Sequence, residues 1–113
     1  RIKDILTSYN IKMIDIPMET GLVAEIGQGE KCIAVRTDID ALPIQEQVSQ
    51  DFTSTNDEVM HACGHDIHMA SVLGVAVRLK EIENQEQSVC TLKFCAQRTF
   101  LVITEENLKY HIN

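Results

Sequence analysis

The sequence is poor in aromatic residues and in basic charge. Its 113 residues include no tryptophan, two tyrosines and three phenylalanines, so aromatic side chains make up only 4% of the chain. Lysine and arginine number 10 against 17 acidic residues, and the net charge of −7 argues against both nucleic acid and anionic membranes as partners. No apolar run approaches the ~20 residues that a membrane span requires. The composition therefore favours a small globular domain that binds neither.

Cysteine is also scarce. The chain has four, and their positions do not form the dense framework of a disulfide-rich secreted domain: Cys32, Cys63, Cys90 and Cys95. We therefore expect a cytoplasmic protein with free thiols. Cys32 lies in an apolar stretch and is expected to be a small core residue.

Hydrophobic periodicity predicts an α/β protein. A helix is predicted over residues 1–9, and strands are predicted over 12–16, 21–26, 31–37 and 89–96. Gly27 and Gly29 predict a hairpin turn between the second and third strands, because glycine adopts the positive φ that such turns require.

The most apolar part of the chain is a predicted helix over residues 66–83, whose polar face is limited until Arg78 and Lys80. A helix that is apolar on nearly every side is typically buried, so we expect it to lie between the sheet and other structure. The polar stretch 45–58 ahead of it is predicted to be a surface loop with Phe52 as its apolar anchor.

The strongest functional signal is a cluster of metal-ligand side chains at the start of this helix. Eight positions hold three histidines, a cysteine and an aspartate: His61, Cys63, His65, Asp66 and His68. Thiolate and imidazole favour zinc and other late divalent metals, whereas carboxylates admit manganese. Cys63 and His65 are separated by a single glycine, so a freely bending backbone lets them converge on one ion. His61 and His68 are candidates for ligands, supporting contacts or substrate contacts.

Two carboxylates end the third predicted strand. Asp38 and Asp40 are two residues apart, so strand alternation places both on one face. Both could then point to one place beyond the end of the strand, where open α/β sheets tend to bind ligands. A solvated turn that carries two acidic residues is the alternative.

Two motifs together resemble the metal-dependent amidohydrolases. The first is Val-Arg-Thr-Asp-Ile-Asp-Ala-Leu-Pro over residues 35–43, and the second is Met-His-Ala-Cys-Gly-His-Asp over 60–66. The resemblance covers residues 1–97. This family includes hippurate hydrolases, N-acyl-amino-acid deacylases, N-acetyl-diaminopimelate deacetylases and auxin-conjugate hydrolases, and it is related to the dinuclear zinc carboxypeptidases.

The resemblance implies a hydrolase that cleaves the amide bond of a small N-acyl amino acid through metal-activated water. It implies that Cys63 and His65 are metal ligands and that Asp40 is a catalytic-site carboxylate supporting the metal. The implied cofactor is Mn²⁺ or Zn²⁺, with two ions per site in the parent family. Residues 1–113 are then expected to form a single domain, the amino-terminal portion of a metallohydrolase catalytic domain with a mixed twisted sheet and packed helices. A homodimer is left open.

The family pattern ends at Gln97. The family continues with Gln-Pro-Ala-Glu-Glu, in which one glutamate is the general acid/base and its neighbour binds metal. Here a divergent tail, 98–113, carries Glu105 and Glu106 further along the chain. We interpret this pair as a coincidence at the start of a short terminal helix, the alternative being that it replaces the missing glutamates. The chain therefore looks truncated and is expected to have little amidase activity. A non-catalytic metal-binding fragment and a structural zinc module are the alternative functions.

Overall fold

Two helices and four strands form the part of the chain that the structure describes. This computed structural model describes residues 1–17, 19–28, 31–85 and 90–97, with the backbone alone at 31 and 90–97. The elements in chain order are α1 Ile2–Ser8, β1 Lys12–Ile14, β2 Leu22–Ile26, β3 Lys31–Asp38, α2 His65–Gln85 and β4 Cys90–Gln97. Among these residues, neither helix combines the length and the hydrophobicity needed to cross a bilayer.

The four strands form one mixed sheet in the order β1-β2-β4-β3. β4 pairs with β2 in the antiparallel direction and with β3 in the parallel direction, from Lys31↔Cys90 to Asp38↔Gln97. Parallel neighbours need a long crossover connection, and α2 supplies it between β3 and β4. The expected α/β fold with a mixed sheet and packed helices is confirmed.

The predicted hairpin between β2 and β3 is wrong, because β4 lies between these two strands. Gly27 does have a positive φ of 90°, as that prediction required, whereas Gly29 lies outside the described residues. A turn signal cannot show which strand becomes the neighbour. In the sheet, β4 uses both of its edges, pairing with β2 on one side and with β3 on the other.

The core lies where α1 and α2 meet the sheet. Its buried residues come from the short helix, the residue just before β1, the second strand and the middle of the long helix: Leu6, Ile11, Ala24, Ile26 and Ala76. Val72, Leu73 and Leu79 of α2 pack against this cluster. A backbone contact reinforces the packing, since Glu83 of α2 accepts a hydrogen bond from the Gly27 N–H at 2.9 Å.

The prediction that α2 is buried on nearly every side is wrong for the described residues. Ile67 is 66% exposed and Val75 is 51% exposed, while Ala76 on the opposite side is 1% exposed. The sheet covers one side of the helix. Within residues 1–17, 19–28, 31–85 and 90–97, nothing covers the other side to the same degree. Apolar sequence alone could not show which side would be covered.

The polar stretch 45–58 is a surface loop, but Phe52 is not its anchor, because this side chain is 81% exposed. Reciprocal backbone hydrogen bonds between Leu42 and Met60, of 2.8 and 3.0 Å, close the loop at its base. Inside it, Glu46 accepts a hydrogen bond from the Ser54 N–H at 2.6 Å. Polar contacts therefore hold the loop, and its closure returns the chain to the cluster that begins at residue 61.

Candidate metal centre

The crossover connection brings the end of β3 next to the start of α2. His65 is the first residue of α2, and Cys63 lies in the bend before it. Asp40 follows two residues after β3 ends at Asp38. The structure thus brings together one residue from the first motif and two residues from the second.

The His65 ring lies between the other two side chains. Its Nδ1 atom lies 3.0 Å from Oδ1 of Asp40, and both side chains are about three-quarters buried, at 23% and 27% exposure. The two atoms are close enough for an electrostatic contact, but their alignment falls short of a regular hydrogen bond, so Nδ1 has no hydrogen-bond partner in the described part of the chain. A carboxylate at Nδ1 favours the tautomer with its proton on that nitrogen, which leaves Nε2 to bind a metal.

Cys63 lies on the Nε2 side of the same ring, with its Sγ atom 3.8 Å from Nε2. Zinc–sulfur and zinc–nitrogen bonds of about 2.3 and 2.0–2.1 Å at a tetrahedral angle would place two such ligand atoms about 3.6 Å apart. The observed separation therefore suits two ligands of one ion. Gly64 permits it with a φ of 106°, a conformation that side-chain-bearing residues rarely adopt.

The site is incomplete as a metal cage. Asp40 contacts the opposite ring nitrogen and so does not converge on the point that Cys63 and His65 share. Across the described ranges, no group of three or more histidine, cysteine, aspartate or glutamate side chains could hold an ion. Cys63 and His65 fit a divalent metal as two ligands, and their assignment as ligands stays a prediction.

The two other histidines of the motif lie at the surface. His61 and His68 are both exposed, and the His68 ring centroid lies 6.1 Å from that of His65, with a tilt of 40° between the rings. Neither joins Cys63 and His65 in a group that could hold an ion.

Asp38 and Asp40 have different partners. Asp38 forms an ion pair with Arg36, two residues earlier on β3, whereas Asp40 meets His65. The sequence interpretation missed Arg36. The signal was available, since strand alternation places residues two apart on one face and therefore offers Asp38 a basic neighbour.

Glu105 and Glu106, with the predicted terminal helix, lie outside the described residues. A cleft of about 330 Å³ lies between α1 and the first two strands. Its lining contains none of the candidate residues: Lys3, Met13, Ile14, Asp15, Ile16, Gly21, Leu22 and Val23.

Known proteins are similar in sequence to this chain. A sequence model of peptidase family M20/M25/M40 matches residues 34–99, a range that contains Asp40, Cys63 and His65. The N-acetylcysteine deacetylase of Bacillus subtilis strain 168 is 48% identical over 84 residues, which is 72% of this chain and 22% of that protein. An uncharacterized hydrolase of Staphylococcus aureus strain USA300 is 46% identical over 87 residues, or 76% of this chain and 22% of the relative.

A solved structure agrees with the fold. The crystal structure of the Bacillus subtilis YXEP protein, described as a dinuclear metal binding peptidase from the M20 family, has a TM-score of 0.74 and 43% identity to this chain. The match covers 84% of this chain and 27% of the crystallised one. The chain thus spans about a quarter or less of the length of the relatives that it matches.

Proposed function

We propose, since the chain belongs to peptidase family M20/M25/M40, that it supplies part of the divalent-metal centre of a hydrolase acting on small N-acyl amino acids. The observation that carries this proposal is the Asp40–His65–Cys63 arrangement, with contacts of 3.0 and 3.8 Å on the two nitrogens of one imidazole ring. In this proposal residues 1–113 form one domain, the amino-terminal portion of a metallohydrolase catalytic domain.

Each of the three residues has a distinct role. Cys63 and His65 would hold Mn²⁺ or Zn²⁺ through Sγ and Nε2. Asp40 would favour the proton of His65 on Nδ1 through its negative charge, a role that carboxylates commonly have for metal-binding histidines. A bound ion would supply Lewis-acid polarisation of the amide carbonyl and would lower the pKa of water at the site.

The proposed substrate class is supported by the ligand types of the centre and by the name of one relative. A divalent ion held by thiolate and imidazole ligands, with a carboxylate behind the histidine, suits hydrolysis of an unactivated amide, which needs both a polarised carbonyl and an activated water. The Bacillus subtilis relative is named a deacetylase of N-acetylcysteine, an N-acyl amino acid. We propose that the type of hydrolase to which this chain contributes acts on the same class of substrate, an amide between a small acyl group and an amino acid.

A second candidate is a metal-binding protein without catalysis. The observation that favours it is the shortage of ligands, since the described residues offer two that converge and no group of three. A structural zinc site would need four ligands.

Metal binding tests the proposal. Cobalt titration should give the sulfur-to-metal charge-transfer band of a thiolate ligand, and Zn²⁺ should displace the cobalt. Cys63→Ser should abolish the band, and His65→Asn should weaken binding. Cys32→Ser is the matched control, because Cys32 is a free, half-buried cysteine on β3 and should leave binding unchanged. Wild-type affinity and an intact band in both Cys63→Ser and His65→Asn would refute the assignment.

A further inference from the structure

The surface loop over residues 43–59 connects the two parts of the candidate centre. Its base is the pair of backbone hydrogen bonds between Leu42 and Met60, of 2.8 and 3.0 Å. Asp40 lies two residues before Leu42, and Cys63 lies three residues after Met60. Opening of this base would free both neighbouring segments, so the base helps to set the position of Asp40 relative to Cys63.

Side chains continue this closure into the loop. Gln45 Oε1 accepts a hydrogen bond from the Glu58 N–H at 2.8 Å, and Glu46 Oε2 accepts one from the Ser54 N–H at 2.6 Å. Both contacts join the first half of the loop to its second half, one inside the other. Ordering a loop costs conformational entropy for every residue that is fixed, and these contacts offset part of that cost.

The tip of the loop is ordered by Thr53. Its Oγ1 atom accepts a hydrogen bond from the Gln50 N–H at 2.6 Å and donates to a carbonyl oxygen, with Gln50 at 2.8 Å and Val48 at 3.1 Å as acceptors. Phe52 is 81% exposed, so burial of this side chain does not hold the tip. Compact loops whose ends lie close together and whose own side chains hold them are frequently functional.

We infer that closure of this loop and metal binding by Cys63 and His65 stabilise each other, with Gln45 and Glu46 as positioning residues of the centre. This coupling rests on the proposed metal binding and extends it to residues that are not ligands. A closed base keeps Asp40 on the Nδ1 side of the His65 ring and Cys63 on the Nε2 side, so less ordering remains to be done when the ion binds. A bound ion favours the closed loop in turn, because coupling between two equilibria is reciprocal.

Hydrogen exchange of the wild-type chain tests the effect of the ion on the loop. Zn²⁺ at about 100 times its dissociation constant should slow exchange of the Leu42 and Met60 amides by about 10-fold or more, because opening of the base then competes with binding. The Asn10 N–H, which donates to the Thr7 carbonyl at 3.0 Å, is the internal control at the end of α1 and should exchange at an unchanged rate. Equal slowing of all three amides would show stabilisation of the whole chain and would overturn the coupling.

Substitutions at Glu46 test the effect of the loop on the ion. Glu46→Ala removes the contact with Ser54 and should lower Zn²⁺ affinity about 3- to 10-fold, the factor that corresponds to a hydrogen bond of ordinary net strength. Competition with a chromophoric chelator measures it. Glu46→Gln keeps an acceptor oxygen without the charge and should retain wild-type affinity, as should Asp57→Ala, which removes an exposed carboxylate from the same loop. A loss in Glu46→Gln as large as that in Glu46→Ala would assign the effect to charge and overturn the positioning role.

Failure of the coupling and failure of the proposed function give different results. An ion that binds through Cys63, with unchanged exchange at Leu42 and Met60 or unchanged affinity in Glu46→Ala, overturns the coupling and leaves the metal centre in place. Absence of a bound ion in the wild type overturns both. The exchange measurement uses the wild-type chain, so it decides the question even if Glu46→Ala folds poorly.

Discussion

His65 and Asp40 join the two sequence motifs, with Nδ1 of the ring 3.0 Å from Oδ1 of the carboxylate. The contact crosses the junction between the end of β3 and the first residue of α2. It holds the ring with its other nitrogen turned towards Cys63, 3.8 Å away. A single imidazole thus links a supporting carboxylate on one side to a metal-ligand partner on the other.

Asp40→Asn should therefore weaken metal binding without removing a ligand. The amide keeps the size of the side chain but loses the negative charge that favours the proton on Nδ1 of His65. Loss of such a supporting partner typically lowers metal affinity about 10- to 100-fold, which competition with a chromophoric chelator can measure. Asp38→Asn is the matched control, because Asp38 pairs with Arg36 and should leave affinity unchanged. A larger loss from Asp38→Asn than from Asp40→Asn would contradict the assigned roles.

Gly64→Ala should disturb the site through the backbone. Gly64 has a φ of 106°, and no atom lies within 4 Å of an added Cβ, so the cost is conformational strain and not a clash. Residues held in such regions typically cost about 1–3 kcal/mol, and relaxation would move Cys63 relative to His65. We expect both lower stability in denaturant titration and weaker cobalt binding.

Gly74→Ala should have the opposite effect on stability. Gly74 lies within α2 with open space around an added Cβ, so alanine should raise stability by about 0.5–1 kcal/mol through helix propensity. Cobalt affinity should not change. Equal effects of the two substitutions would show that the conformation of Gly64 has no special role.

The two sides of α2 should differ in their sensitivity to truncation. Leu73 packs against the buried cluster, so Leu73→Ala should destabilise by about 2–5 kcal/mol through lost burial and a cavity, with the lower end expected because Leu73 is partly buried. Val75 is 51% exposed, and Val75→Ala should change stability by within about 0.5 kcal/mol. Denaturant titration compares them directly. A Leu73→Ala loss below about 1 kcal/mol would show that the helix is poorly held against the sheet.

Local elements followed from the sequence more closely than their arrangement did. The long helix was predicted over 66–83 and spans His65–Gln85 in the structure. The third strand was predicted over 31–37 and spans Lys31–Asp38. Periodicity reports which residues share one face, and that signal is local. The insertion of β4 between β2 and β3 depends on pairing between distant residues, and the exposure of Val75 depends on what covers the helix.

In the candidate site too, local features were easier to predict from the sequence than contacts between distant residues. The type and spacing of Cys63 and His65 predicted convergence on one ion, and the 3.8 Å separation suits that prediction. Strand alternation put Asp38 and Asp40 on one face but could not distinguish their roles. Arg36 on the same strand engages Asp38, and the crossover through α2 brings His65 to Asp40. The roles of the two carboxylates thus depend on a local contact within β3 for Asp38 and on a tertiary contact for Asp40.

The C-terminal turn of α2 is tied to the sheet by Glu83. Its carboxylate accepts hydrogen bonds from the Gly27 N–H at 2.9 Å and from Lys80 Nζ at 2.6 Å. Glu83→Ala would leave the part-buried Gly27 N–H unpaired, at a cost of about 1–3 kcal/mol in thermal or denaturant unfolding. Glu81→Ala is the control, because Glu81 pairs with an exposed Arg78 and such surface pairs contribute about 0–1 kcal/mol. Similar losses in both variants would argue against a specific role for the Gly27 contact.

The last prediction is that this chain alone hydrolyses N-acyl amino acids slowly or not at all. Amide hydrolysis at a metal centre needs a positioned general base, and general acid/base catalysis typically contributes about 10²- to 10⁴-fold. The described residues place no glutamate in a metal-holding group with Cys63 and His65. Asp40 is committed to Nδ1 of His65, on the side of the ring away from Cys63.

N-acetylcysteine and N-benzoyl amino acids, with Mn²⁺, Zn²⁺ or Co²⁺ added, provide the assay. Turnover should fall well below the ordinary enzyme range of roughly 1–10³ s⁻¹. A rate of about 1 s⁻¹ or more that disappears in Glu105→Gln would overturn this prediction and identify the glutamate pair of the tail as the missing acid/base group. Glu81→Gln is the control for that variant, because it removes a carboxylate from the exposed side of α2, where Glu81 pairs only with Arg78. A rate lost equally in both variants would point to a general effect of charge, because Glu81 takes no part in the candidate centre.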